Sequence, residues 1–295
     1  MRRVHRGGFL GVAALVGCGG GGKAGETCAA TCDATAGVES ACAAIVDNAG
    51  AATFGLRVAQ LTFTKPHALT EPLVAGLLTE ATTPNLPDCQ IAGTGAMSWL
   101  LQIDTAAARL TTGLAGPVGD PTEGYCFLDD GIARPATVDF APSGGTWSTR
   151  GSLEVNLISD ALPISLPLRG VSLSDVSLSA DQSCVGSYRA DDLDPALGCA
   201  PEDGSRYVNG GTLHAYITLE EADALMLADL QESLCVLLTG DAGDGQVPRR
   251  CSRSMLGTVS AAGDWCSITD TPGGCVDALE VSAAFAASAV AIDGA

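Results

Sequence analysis

Apolar and polar residues alternate with period two along much of this chain, in short runs bounded by Gly, Pro and Ser. Alternation puts every second side chain on one face of a strand, so each run predicts a β-strand with one buried face. "FGLRVAQLTFT", Phe54 to Thr64, is the first. "SWLLQIDTAAARLTTG" predicts a hairpin that runs from Trp99 to Asp104, turns tightly around Thr105 and Ala106, and returns through Leu110. The pattern recurs in "ATVDFAP", turned by Ser143-Gly144-Gly145, and in "WSTRGSLEVNLI", where Leu153, Val155 and Leu157 share a face. Ile164, Leu166 and Leu168 line up in the same way, as do Val171 with Leu173 and Val176 with Leu178. "GTLHAYITL" and "DALEVSAAFAASAVAI" complete the set. Many short strands of this kind predict a mainly β fold, an antiparallel sandwich or a barrel-like domain.

One stretch changes period. Thr218 followed by Glu221 is a capping box, and Leu219, Ala222, Met226, Leu230, Leu234 and Leu237 then fall on one helical stripe. Gly240 is placed to end it, so a single well-capped helix is expected over about 219–238. The Pro-rich stretch from Pro66 to Pro87 reads as a loop with one helical turn. Residues 26–52 are cysteine-bearing and do not alternate, which predicts a short helix or a stapled loop before a β-rich domain over 53–295.

The N-terminus has the parts of an export signal: Arg2, Arg3 and Arg6, an apolar run from Phe9 to Val16, and a small residue at Gly17. The run is too short to span a bilayer. Leu15-Val16-Gly17-Cys18 resembles the lipobox of bacterial lipoproteins, in which the leader is cut before the cysteine and its sulfur carries a diacylglycerol. The resemblance implies a signal peptide over 1–17, lipidation at Cys18, and a Gly-rich tether over 18–25. It also implies a membrane partner reached only through the N-terminal lipid, and a place in the bacterial envelope, at the outer membrane, facing the periplasm or the surface. Two or more acyl chains give stable anchoring where one is marginal.

Composition sharpens this picture. Without residues 1–17 the chain keeps 12 basic against 34 acidic residues, a net charge of −22. Nucleic acid is excluded as a partner by that balance, whereas a solubilising surface fits it. Of the twelve cysteines, the eleven after Cys18 point to an oxidising compartment and disulfide staples. Local pairs that bracket short loops are expected: Cys184 with Cys199, Cys235 with Cys251, Cys266 with Cys275, and Cys89 with Cys126. Eleven is odd, so a leftover thiol is expected among Cys28, Cys32 and Cys42. The Cys28-x3-Cys32 spacing departs from the C-x2-C pairs of zinc sites and no histidine lies nearby, so no metal is assigned.

Candidate chemistry is sparse. Outside the leader the histidines are His67, in the Pro-rich stretch, and His214, in a predicted strand. No G-x-S-x-G or H-E-x-x-H occurs, and Thr62 stands where an S-x-x-K arrangement ending at Lys65 needs serine. His214, with no partner at catalytic spacing, reads as a structural residue. Asp129-Asp130-Gly131 and the turn Asp241 to Gly245 are acidic bends, but the second breaks the register of a calcium loop. Asp191 and Asp192 read as a solvated loop. No catalytic residue and no cofactor is assigned.

"LLQIDTAAARLTTG", "SCVGSYRADDLDPALGC", "GTLHAYITLEEAD" and "GDWCSITDTPGGC" together resemble uncharacterised cysteine-rich lipoproteins of high-GC Gram-negative bacteria. The resemblance runs over most of the chain after Cys18 and implies no activity. The expectation is a lipid-anchored, non-catalytic envelope or cell-surface module, structural or binding an envelope protein or small molecule. The alternative is an extracytoplasmic carboxylate-dependent hydrolase of glycans or esters centred near Asp129 or Asp244.

Overall fold

The computed structural model describes residue 42 and residues 44–86, 91–129, 133–159, 164–188, 193–194, 200–201, 207–228, 230–243 and 245–293. Ten strands carry the architecture: β1 (Thr53–Lys65), β2 (Trp99–Asp104), β3 (Arg109–Pro117), β4 (Ala136–Ser143), β5 (Thr146–Arg150), β6 (Leu153–Ser159), β7 (Ile164–Ser174), β8 (Val176–Ser177), β9 (Gly211–Thr218) and β10 (Ala278–Ala289). They lie side by side in the order β8-β5-β4-β3-β2-β1-β10-β9-β7-β6, with every pair antiparallel. β8 follows β7 after Asp175 alone, yet it pairs with β5 at the far end of the path. That connection curls the sheet into a half-barrel, the mainly β, barrel-like form expected from the alternation.

The expected hairpin is β2 and β3, in register from Trp99↔Leu114 to Asp104↔Arg109. The concave face is filled by the alternating apolar residues. Leu56, Val58, Leu61 and Phe63 of β1 meet Val281, Ala283, Phe285 and Ala287 of β10, joined by Leu213, Ala215 and Ile217 of β9. A bulge between Val58 and Gln60 keeps both halves of β1 aimed inward.

Three sequence expectations need correction. The stretch from Pro66 to Pro87 holds two helices, α1 (His67–Thr70) and α2 (Pro72–Thr82). Pro72 sits in the first turn of α2, where its fixed φ favours a helix and its missing N–H costs nothing. The helix escaped the pattern because Leu73 is exposed and only Leu78, Ala81 and Thr82 are buried, so no clean stripe is written in it.

The stripe over 219–238 is two helices, α3 (Leu219–Ala224) and α4 (Leu234–Thr239), separated by a two-stranded turn. Both expected ends are present: Thr218 Oγ1 accepts from the Glu221 amide, and Gly240 closes α4 at φ 73°. The break comes from Asp223, which is fully buried and accepts from Ser233 Oγ at 2.9 Å, the Cys251 amide at 2.9 Å and Arg253 Nη2 at 2.7 Å. In one continuous helix residues 223 and 233 would stand about 15 Å apart, so the contact requires a fold between them. Ser233 then caps α4 by accepting from the Val236 amide.

The third correction is a disulfide. Cys235–Cys251 and Cys266–Cys275 form as expected, but Cys184 bonds to Cys42, not to Cys199. Cys184 and Val185 pair alongside Ser288 and Ala287 of β10. The segment from Cys42 to Asn48 crosses the same face, with the Ile45 amide donating to Ala289 O and Asn48 Nδ2 to Gly55 O and Gln182 O. Cys42 is thereby removed from the expected leftover thiols. Cys126 is disulfide-bonded, and its expected partner Cys89 lies outside the described residues. Among the described residues no cysteine is free.

Candidate functional site on the outer face of the sheet

Because β1, β10, β9 and β7 give their inward positions to the core, their alternate positions share the convex face, where three or four strands present polar residues in rows. Lys65, Ser282, His214 and Ser172 occupy one row across the four strands, and Glu280, Tyr216 and Arg169 the next. Lys65 Nζ lies 2.7 Å from Glu280 Oε2, and Ser282 Oγ donates to Glu280 Oε1 at 3.0 Å. His214 Nε2 is 3.8 Å from Glu280 Oε1, is buried, and has no hydrogen-bond partner. The imidazole packs on Trp265, ring centroids 4.7 Å apart. Trp265 belongs to a small hairpin that the Cys266–Cys275 disulfide closes, and its indole donates to Asp270 at 3.1 Å.

Further along, Arg169 donates from Nε and Nη2 to Glu221 Oε1 at 3.0 and 2.6 Å and also pairs with Glu154. Tyr216 stands between the two clusters, its hydroxyl donating to Ser267 O at 3.3 Å. Gly170 is required beside it: at φ 60° a side chain is strained, and a Cβ there would come within 2.7 Å of the Tyr216 ring.

The electrostatics follow from these contacts. Burial pushes the Glu280 carboxyl up, but the hydrogen bonds from Lys65 and Ser282 outweigh it and hold the carboxyl below its ordinary range. Lys65 is raised, mainly by its hydrogen bond to Glu280. Glu221 is likewise lowered: Arg169 and Thr218 overcome its burial. Each charge in the band is answered by a neighbour. The arrangement bonds Ser282 to the carboxylate and not to the imidazole, whereas a serine nucleophile needs its hydroxyl within about 2.6–3.2 Å of the base. The rows therefore form an ion-paired, hydrogen-bonded surface with an aromatic residue at its edge.

Of the residues weighed for chemistry in the sequence, His214 and Lys65 enter this band. His67 is exposed and pairs with Glu71 at 3.1 Å. Asp129 is exposed and lies 3.7 Å from Arg134. Asp241 accepts from Ser252 Oγ at 2.6 Å in the turn after α4. Cys18, Cys28, Cys32, Asp130, Gly131, Asp191, Asp192, Cys199 and Asp244 lie outside the described residues. Glu280 and Ser282 were not singled out, although both sit at the polar positions of an alternating strand; Lys65 is brought to them only by pairing across more than two hundred residues.

Two groups of potential metal ligands occur among the described residues, Asp223 with Cys235 and Cys251, and Asp277 with Cys266 and Cys275. In both, the two sulfurs are bonded to each other, so neither is a thiolate ligand. Asp277 is occupied by the amide and hydroxyl of Ser267, and Asp223 by Ser233, Cys251 and Arg253.

The outer face of β1 has a second, different end. Arg57 is 2% exposed, beside Ile45 and the Tyr125 ring. Its guanidinium donates to Ser98 Oγ and to the carbonyls of Val58, Thr82 and Met97 at 2.8–3.3 Å, and stands 5.5 Å from the centre of the Tyr125 ring. Among the described residues no carboxylate pairs with it.

No known protein family, curated protein or solved structure matches this chain. Its disulfides belong to an oxidising, extracytoplasmic compartment. Among the described residues no helix is long and apolar enough to cross a membrane.

Proposed function

We propose that the protein is a lipid-anchored, non-catalytic module of the bacterial cell envelope, structural or ligand-binding, held at the outer membrane through Cys18. The observation that carries this reading is the Cys42–Cys184 disulfide, which fastens the chain soon after its Gly-rich tether to the middle of the sheet. A domain held by its N-terminus gains from a covalent attachment at that point, and the oxidising compartment that forms the bond is the one reached by export. The outer-face band supports the non-catalytic part, since Glu280 already holds both Ser282 and Lys65 and leaves His214 without a proton relay. The likeness of Leu15 to Cys18 to a lipobox supplies the anchor.

Fractionation with detergent partitioning tests the reading. The parent is expected in the membrane and detergent phase, with Cys18 as its acylated first residue by mass spectrometry, and Cys18→Ser is expected in the soluble fraction. A Ser variant that stays membrane-bound, or a parent chain cut elsewhere, overturns the anchor.

A further inference from the structure

We infer that the protein binds a single small monovalent anion of halide size in a void between Arg57 and Ser288, on the covered half of the outer face. The two residues lie directly opposite each other on β1 and β10, so their side chains share that face. Both are almost completely buried. Together with Ile45, Pro121, Tyr125 and Val290 they line a space with room for one water-sized particle.

Charge and donor count both point to an anion. A guanidinium carries five N–H donors and stays protonated, and four of the five are used on neutral oxygens. One Nη2 proton remains. Ser288 Oγ is buried and makes no hydrogen bond, so a second donor is left over on the wall of the same void. Buried polar groups without partners are rare in folded proteins. A buried cation without a counter-charge is costlier still. This chain has a large excess of carboxylates, yet none of the described ones forms an ion pair with Arg57. An anion in the void would accept from Nη2 and from Ser288 Oγ while neutralising the guanidinium, and its remaining surface would rest on the apolar walls. The space is too small for the four oxygens of phosphate or sulfate.

The test is urea unfolding of the purified protein in sodium chloride, sodium bromide or sodium gluconate, each series held at constant ionic strength. The gluconate ion is too large for the void and keeps general screening equal. A ligand bound only by the folded state raises stability with the logarithm of its concentration once above its dissociation constant. The midpoint is therefore expected to rise with chloride and with bromide over their gluconate controls. Ser288→Ala should shift that dependence to at least about tenfold higher halide, the equivalent of one lost charge-assisted hydrogen bond of about 1.4 kcal/mol, and Arg57→Gln should abolish it. Crystals grown in bromide should show an anomalous peak between Arg57 Nη2 and Ser288 Oγ. Equal midpoints in chloride and gluconate, a halide effect unchanged in Ser288→Ala, or only water density in the void each overturn the inference. Should Arg57→Gln fail to fold, Ser288→Ala and the bromide crystal decide the matter without it.

Discussion

Removal of the Cys42–Cys184 bridge separates the observed connectivity from the local one that loop spacing favours. The two cysteines are 142 residues apart. In the chain-entropy description, a closed loop of that length removes roughly 17 cal/mol/K from the unfolded ensemble, or about 5 kcal/mol at 25 °C, against about 3 kcal/mol for the short Cys184-to-Cys199 loop. Urea unfolding without reductant, on the parent, Cys42→Ala, Cys184→Ala and the double variant, reads the difference. All three variants are expected to lose a similar amount, about 3–5 kcal/mol, because either single change breaks the same bond. The unfolded chain, freed of its longest described tie, also exposes more surface, so the urea m-value should rise. Were Cys184 joined to Cys199 instead, Cys42→Ala would cost little and Cys184→Ala would carry the whole loss. A Cys42→Ala variant within about 1 kcal/mol of the parent, with an unchanged m-value, refutes the reasoning.

Other outcomes follow from the site and its surroundings. His214→Gln is expected to change stability by about 0.5–3 kcal/mol and to remove no turnover on a panel of ester, glycoside and peptide substrates; a turnover lost in this variant with its melting temperature intact would show His214 to be a base. Asp223→Ala leaves Ser233, the Cys251 amide and Arg253 without their shared acceptor, and should cost about 3–5 kcal/mol in urea unfolding; a loss below about 1 kcal/mol would show that the carboxylate does not hold α3 and α4 together. Glu280, Glu221, Asp223 and Asp277 all have carboxyls held below their ordinary values. Their contribution is complete above the unfolded-state values of 3.8 to 4.5 and is lost as pH falls through the lower folded values. The urea midpoint should therefore stay level from pH 7 to about 5 and drop below pH 4, less steeply in Glu280→Gln; an equal acid limb in that variant would exclude Glu280 from the effect. Lys65 acts in the opposite sense, its contribution present below 10.5 and lost as pH rises through its raised value.

Alternation was enough to place nearly every long strand, because a strand with one wet and one dry face writes its period directly into the sequence. It failed where both faces are covered. Arg57 stands at a polar position of β1 and reads as a solvent-facing residue, yet it is buried beside Ile45 and Tyr125. The alanine run of β10 is a second case: Ala286 is small on its outer side because Cys42, Cys184 and Tyr207 pack against it. The paired cysteines 184 and 42 meet only because the strand Cys184–Val185 joins the centre of the sheet, a tertiary fact that loop length does not contain. The stretch 219–238 is a related case, since its apolar stripe is real in both halves while a buried carboxylate bends the middle. Of the outer-face band the sequence marks His214 in β9, whereas Glu280 and Ser282 are ordinary polar positions of β10 and Lys65 reaches them from the opposite end of the chain.

The long disulfide also decides how the domain carries tension. A pull on the N-terminus reaches Cys42, passes through sulfur to Cys184, and enters the strand Cys184–Val185 beside β10, so the chain between the two cysteines is bypassed. β10 is in turn bonded to β1 along one side and to β9 along the other. The load therefore spreads over neighbouring ladders at the middle of the sheet and does not peel β1 from its N-terminal end residue by residue. Reduction of that one bond would reroute the same pull into β1 at Thr53, and convert a domain that yields as a whole into one that unravels from its first strand.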